Sequence, residues 1–420
     1  MLKRRQLVTD WTANLASFLL LAVSGALINA VIAKEYGTSA LGVFNQIFAV
    51  YIFGSQLATL GCQFSVLRYV ADYYQEPARC HVIIRAALFI ALLASLLVWL
   101  LLSLFFAAIG PSLYSRAVAD CAPFMMPGLV AFALNKVLLN ALNGARRITL
   151  YAFFTGLRYV LMGTIALTLV ALAAPSRVLS LILSLSDALL LLPLALCCWF
   201  IFPRCGVRTD ENWIRRHIHF GVRSILGGIA VEVNTRIDVL ILGIFSTDTA
   251  VGIYSFAAFF VEGLLQLPLL ARRIVDPILT SLVTRRDHQA LALLLMRGRN
   301  INGALVVVMN LLAFVFYPWY ARLFGTAQLA SESWNLFSIL LMGSTLFGIY
   351  AMFSGIFSQG GLPLVQTRFN VLFLAVNLLV NLCLVPFYGA LGAAIATSLS
   401  FAAGALILRN SIYRHFTIRI

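Results

Sequence analysis

Twelve apolar runs of about 20 residues or more follow one another along the chain, and that succession restricts it to one class of fold. They lie at about 11–33, 43–63, 82–109, 118–143, 150–174, 177–202, 223–245, 250–271, 299–323, 333–357, 365–386 and 389–410. Each matches the thickness of a hydrocarbon core. Lipid offers the backbone no hydrogen-bond partner, so each run must close its own bonds as a helix. Composition agrees: 62% of the residues are hydrophobic and 11% charged, against roughly a half and a quarter in soluble domains. The opening "KRR" and apolar run resemble a signal peptide, but polar Asp10, Thr12 and Asn14 separate the two parts, and an uncleaved first helix is expected.

The basic residues fix an expected orientation. Twenty-three of the 30 lysines and arginines fall at the termini and in alternate loops; only Lys34, Arg116, Arg177 and Arg322 fall in the opposite set. Lys136, Arg158 and Arg236 lie within spans. A wrong span count would scramble this partition, so the positive-inside bias predicts twelve helices with both termini cytoplasmic. The same clustering separates the formal charge of +15 from a nucleic-acid partner, which needs a basic patch on one face. The stretch "DPILTSLVTRRDHQALALLLMRGR" reads as an amphipathic helix at the inner interface.

An internal repeat divides the chain. "SALGVF", Ser39–Phe44, returns 210 residues later as "TAVGIY", Thr249–Tyr254, at half the length of the 420-residue chain. The first precedes the second span and the second precedes the eighth, so both enter the membrane in the same direction, as in parallel repeats. "NGARR" after the fourth span and "QGGLP" after the tenth form a weaker echo. The expected domains are an N-lobe at 1–205, a cytoplasmic linker at 206–222 and a C-lobe at 223–420. Two similar six-helix lobes facing each other would leave a cleft that opens to alternate sides.

Seven ionisable residues fall within spans: Lys136, Arg158, Asp187, Glu232, Arg236, Asp238 and Glu262. Facing lipid, they would together cost on the order of 20 kcal/mol, more than a fold's usual stability of about 5–15 kcal/mol. They are expected to face the cleft or one another. Glu232 and Arg236, four apart on one helix, can pair; Asp238 lies nearer the outer end, where solvent can reach it; Lys136 can snorkel towards the inner interface. Asn370, Asn377 and Asn381 form a polar stripe on one helix, either as packing glue or as a hydrogen-bonding strip for a hydroxyl-rich substrate. Buried carboxylates are natural proton or cation carriers. The seven cysteines show neither metal nor disulfide spacing and read as small core residues. No P-loop, GxSxG or HExxH motif occurs, so neither an enzyme nor a resident cofactor is expected, and uphill transport would draw on H+ or Na+.

The segment "YGTSALGVFNQIFAVYIFGSQLATLGCQFSVLRYVADY", Tyr36–Tyr74, resembles the Wzx-like polysaccharide (O-antigen type) flippases of the multidrug, oligosaccharidyl-lipid and polysaccharide (MOP) exporter superfamily. Gly37, Gly42 and Phe44, Leu60–Gly61, and Arg68 to Ala71 carry the likeness, with Gly144 and Arg146 after the fourth span. The resemblance implies an all-α, MATE-like membrane protein of twelve helices in two pseudo-symmetric lobes. It implies a carrier in the bacterial inner membrane that moves undecaprenyl-diphosphate-linked sugar units to the periplasmic leaflet by alternating access. Its partners would be that lipid-linked oligosaccharide, membrane lipids and other polysaccharide-assembly proteins. Arg158 and Arg236, with Lys136, are then the groups to hold a diphosphate, since an arginine fork fits phosphate. Asp187, Glu232, Glu262 and Asp238 would carry the coupling ion or balance those cations. The family's cavities are cationic, whereas these spans set four carboxylates against three basic groups. A drug/cation antiporter of the same superfamily, with acidic and aromatic cavity groups, is the alternative; a membrane-embedded glycan polymerase or ligase is a further one.

Overall fold

The computed structural model describes residues 4–203 and 212–418; residues 204–211, part of the expected linker, lie outside them. Every described element is helical, and no strand occurs among the described residues. The helices are α1 (Arg4–Glu35), α2 (Gly37–Ala58), α3 (Cys62–Asp72), α4 (Pro77–Ala108), α5 (Gly110–Leu113), α6 (Arg116–Gly144), α7 (Ile148–Ala171) and α8 (Leu181–Ile201). They continue as α9 (Trp213–Asn234), α10 (Ile237–Phe245), α11 (Asp248–Thr284), α12 (His288–Phe324), α13 (Ala327–Ala351), α14 (Ile356–Gln359) and α15 (Pro363–Phe416). Nine helices among the described residues are long and apolar enough to cross a membrane. One of them, α15, holds two apolar runs, divided at Gly389, whose left-handed φ of 53° no helix interior adopts. The first run is α1, and the seventh is shared by α9 and α10 across a break at Thr235–Arg236. All twelve apolar runs are therefore helical.

Local chemistry sets several starts. The Ser115 hydroxyl accepts from the amide of Val118 at the head of α6, and Thr247 and Thr326 do the same for Ala250 and Leu329 in α11 and α13. Two expectations move. The hexapeptides do not precede their spans: Ser39–Phe44 and Thr249–Tyr254 fall in the first two turns of α2 and α11. The stretch 276–299 is not one interfacial helix, since α11 ends at Thr284, Arg286 turns left-handed with φ of 56°, and Asp287 caps α12 by accepting from Ala290. A charged Arg–Arg–Asp turn ends one helix and starts the next.

The chain divides into two compact units, Met1–Glu232 and Val233–Ile420. The helix α9 begins inside the stretch 206–222 expected as linker, and the division falls in its last turn. In the first unit α1 packs on α7, α2 and α4 on α6, and α6 on α8. In the second α10 packs on α15, α11 and α12 on α13, and α13 on α15. Span for span this is one packing scheme used twice, which is what the repeat predicts.

The repeat extends to atoms. A Cβ on Gly128 would stand 2.3 Å from the Ser184 Cα, and one on Gly343 would stand 2.3 Å from the Ser398 Cα. Only glycine lets these backbones approach so closely. The Ser184 hydroxyl accepts from the Gly128 amide at 3.2 Å and donates to the Phe124 carbonyl, entering the hydrogen-bond ladder of α6. Ser398 donates in the same way to Ile339, four residues before Gly343, at 2.7 Å.

Candidate functional site

In the first unit, α2, α6, α7 and α8 converge on one buried carboxylate. Asp187 on α8 accepts from Arg158 on α7 through both oxygens: Nε to Oδ1 and a terminal nitrogen to Oδ2, each 2.8 Å. Asn135 on α6 donates to Asp187 Oδ1 at 3.2 Å and to its carbonyl at 2.9 Å. The Tyr51 hydroxyl on α2 lies 2.8 Å from both Asp187 Oδ2 and the Gly128 carbonyl, so its one proton serves either. Asp187, Arg158, Asn135 and Tyr51 are all buried. Phe132 stacks on Tyr51 with centroids 5.2 Å apart and takes the Arg158 guanidinium over its ring at 4.0 Å. The pair thus sits buried with both carboxylate oxygens bonded, the condition under which a buried ion pair persists, while the Asn135 Oδ1 beside it has no hydrogen-bond partner among the described residues.

Lys136, one residue beyond Asn135, does not snorkel. Its ammonium donates to Ser55 on α2 at 2.9 Å and lies 4.7 Å from the Phe132 centroid. Glu232, at the end of this unit, lies within electrostatic reach of Lys136 and Tyr159.

The second unit builds its polar groups around the break between α9 and α10. Arg236 sits in that break with non-helical backbone, so the helical i,i+4 register with Glu232 is interrupted. Its guanidinium forks onto Glu262 of α11, at 3.1 and 3.4 Å. The side chains of Arg236 and Glu262 are 18% and 31% exposed, against 6% and 0% for Arg158 and Asp187, so this pair is the more open of the two. Asp238 is not solvated: it is buried, accepts from the Val239 amide at 2.8 Å, and takes the hydroxyls of Tyr254 and Thr397.

The asparagine stripe serves the break. Asn377 donates to the Asn234 carbonyl at 3.1 Å and to its side-chain oxygen at 3.2 Å, satisfying backbone that the end of α9 leaves open. Asn381 donates in turn to Asn377, and Asn370 accepts from Gln366 at 3.2 Å. Asn377 and Asn381 are buried.

Tyr51, Asn135, Phe132, Ser55, Tyr254 and Thr397 are the members that a search for intramembrane charge passes over. One signal was available, because Tyr254 closes the repeated hexapeptide "TAVGIY". No group of three or more His, Cys, Asp or Glu among the described residues is placed to hold a metal.

Residues 7–271 match the family described as polysaccharide biosynthesis protein. A probable flippase, AglR of Haloferax volcanii, is 25% identical over 175 residues, 41% of this chain; the match spans 36% of that protein, little more than a third of its length. Among solved structures, the lipid II flippase MurJ in an inward closed conformation superposes with a TM-score of 0.71 at 13% identity, covering 96% of this chain and 87% of MurJ. An inward-facing multidrug-resistance MATE transporter of the MOP superfamily gives 0.74 at 14% identity, covering 97% and 98%. At such identity the two structures speak for the fold: it is the two-lobe fold of MOP transporters. Each of these proteins is named for movement across a membrane and none for a chemical conversion.

Proposed function

The chain belongs to the polysaccharide biosynthesis protein family, and we propose from that premise that it is a flippase for lipid-linked oligosaccharide. It carries an undecaprenyl-diphosphate-linked repeat unit from the cytoplasmic to the periplasmic leaflet of a bacterial inner membrane, for surface polysaccharide assembly. Both termini lie in the cytoplasm, on the arginine-rich side.

The observation that carries this reading is the partly exposed Arg236–Glu262 fork in the second unit. An arginine released from its carboxylate presents the same planar fork to a diphosphate. A proton or sodium ion on Glu262 weakens its hold on the guanidinium, so the coupling ion and the diphosphate are linked through one side chain. Arg158 plays a different part. Its fork is spent on Asp187 inside a closed cluster, while Lys136, which follows Asn135 on α6, has three donors and gives one to Ser55. Lys136 is the diphosphate contact of the first unit, and Asn370, the half-buried member of the stripe, is the one left to meet sugar hydroxyls.

A cation/drug antiporter needs an unneutralised acid for its cargo. Asp187 and Glu262 are each forked by an arginine, and Asp238 is held by two hydroxyls and an amide, so these three acids are already engaged within the protein. Deleting the gene in its host tests the assignment. The flippase reading predicts a diphosphate-linked glycan accumulating in the inner leaflet; unchanged lipid-linked pools with new sensitivity to cationic drugs would replace it with the antiporter.

A further inference from the structure

Outside the charged cluster, the first unit carries a cavity of about 530 Å³ formed by α4, α6 and α8. Its walls are apolar, with Leu88, Leu92, Leu138 and Trp199 among them. Its basic groups, His81 and Arg85, stand together at one end, in the first turns of α4. Arg85 is exposed, and among the described residues no carboxylate pairs with it. His81 is fixed by its Nδ1, 2.9 Å from the Phe202 carbonyl. A further arginine, Arg147, lies within electrostatic reach of Cys197, the neighbour of the groove residue Cys198.

The dimensions point to one class of occupant. From His81 to Leu92 the groove follows eleven residues of α4, about 16 Å at 1.5 Å per residue. That is close to half of a hydrocarbon core about 30 Å thick, the depth of one leaflet. The basic mouth lies at the arginine-rich end, where the Arg85 stem can lie along the apolar wall while its head reaches the interface. We propose that this groove is a binding site for an anionic phospholipid of the leaflet on the arginine-rich side, with one acyl chain along Leu88, Leu138 and Trp199 and the phosphate at Arg85 and His81. A zwitterionic lipid fits the apolar slot equally well but leaves the basic mouth unneutralised, so the site selects by headgroup charge. The inference needs only the membrane-spanning fold and is independent of what the protein carries.

Trp199 lines the slot and reports its contents. The protein is placed in phosphatidylcholine vesicles containing a small fraction of brominated-chain phosphatidylglycerol or brominated-chain phosphatidylcholine. The Trp199 signal is read as the difference between wild type and Trp199→Phe. The brominated anionic lipid should quench at an about fivefold lower mole fraction, the effect of one basic side chain near a membrane surface. Arg85→Ala should bring the two lipids within twofold of each other, and Arg85→Lys should keep most of the preference. Raising the salt should weaken the preference in wild type, an arm that does not depend on any variant folding. Equal quenching by both lipids in wild type, or a preference untouched by Arg85→Ala and by salt, would overturn the assignment. Displacement of the quencher by undecaprenyl phosphate at lower mole fraction than by phosphatidylglycerol would overturn it too, making the groove a polyprenyl site.

Discussion

Asp187 and Glu262 are both carboxylates forked by arginine, yet their surroundings give them opposite sensitivities. The first pair is sealed, so removing one partner strands a buried charge. Asp187→Asn should therefore cost on the order of 3–5 kcal/mol, seen as a lowered unfolding midpoint in detergent. Arg158→Met combined with Asp187→Leu should recover much of that loss, because an apolar pair needs no solvation. The second pair is partly exposed, and Arg236→Ala should leave the midpoint nearly unchanged while cutting transport about tenfold or more, the worth of a charged hydrogen-bond fork. If Arg236→Ala unfolds the protein, or transports normally, the role given to Arg236 fails. The sequence displays both arginines equally, as charges within apolar runs. Which is closed and which is open depends on Tyr51, Asn135 and Phe132 arriving from α2 and α6, and nothing local in the chain announces that arrival.

At the scale of elements, the fit of α6 to α8 and of α13 to α15 depends on glycine facing serine. Gly128→Ala and Gly343→Ala each press a methyl against a serine Cα and should each cost about 1–3 kcal/mol by overpacking. The start of α9 is tied differently. His217 lies ahead of the membrane-spanning part of that helix, buried, with Nδ1 2.6 Å from the Ser65 hydroxyl on α3 and Nε2 3.0 Å from the Ile83 carbonyl on α4. Burial pulls its pKa from 6.5 down to about 4. The unfolded chain therefore binds the proton first, and this contribution to stability is present above pH 6.5 and lost as the pH falls towards 4. The loss is on the order of 3 kcal/mol. Wild type should lose that much more than His217→Gln between those limits; parallel pH profiles would place the sensitivity elsewhere. Helix number and order are legible from apolar run length, since lipid enforces helices. Helix ends are less so: α2 begins at Gly37 rather than near 43, because backbone hydrogen bonding carries the helix past polar Thr38 and Ser39, which hydropathy alone cuts off.

For the whole molecule, duplication is the organising fact. The hexapeptide hints at it, the packing scheme within each unit repeats it, and the Gly128–Ser184 and Gly343–Ser398 approaches carry it to the level of atoms. The pattern "SALGVF" is readable because it lies in the chain as a string; the glycine–serine pairs are not, because each joins residues over fifty positions apart. The charged groups follow the opposite rule. The first unit closes its carboxylate inside a cluster, and the second leaves its arginine at a helix break, so the two copies share a frame and differ in chemistry.

Translocation itself gives the most direct measurement. Purified protein in vesicles, supplied with a fluorescent undecaprenyl-diphosphate sugar in one leaflet, should deliver it to the other at a rate raised by an imposed proton or sodium gradient. The matching uncharged polyprenyl sugar should not be moved, and Arg236→Ala should remove the difference between the two. Equal rates for charged and uncharged lipids, or no transfer under either gradient, would contradict a carrier that grips its cargo by the diphosphate.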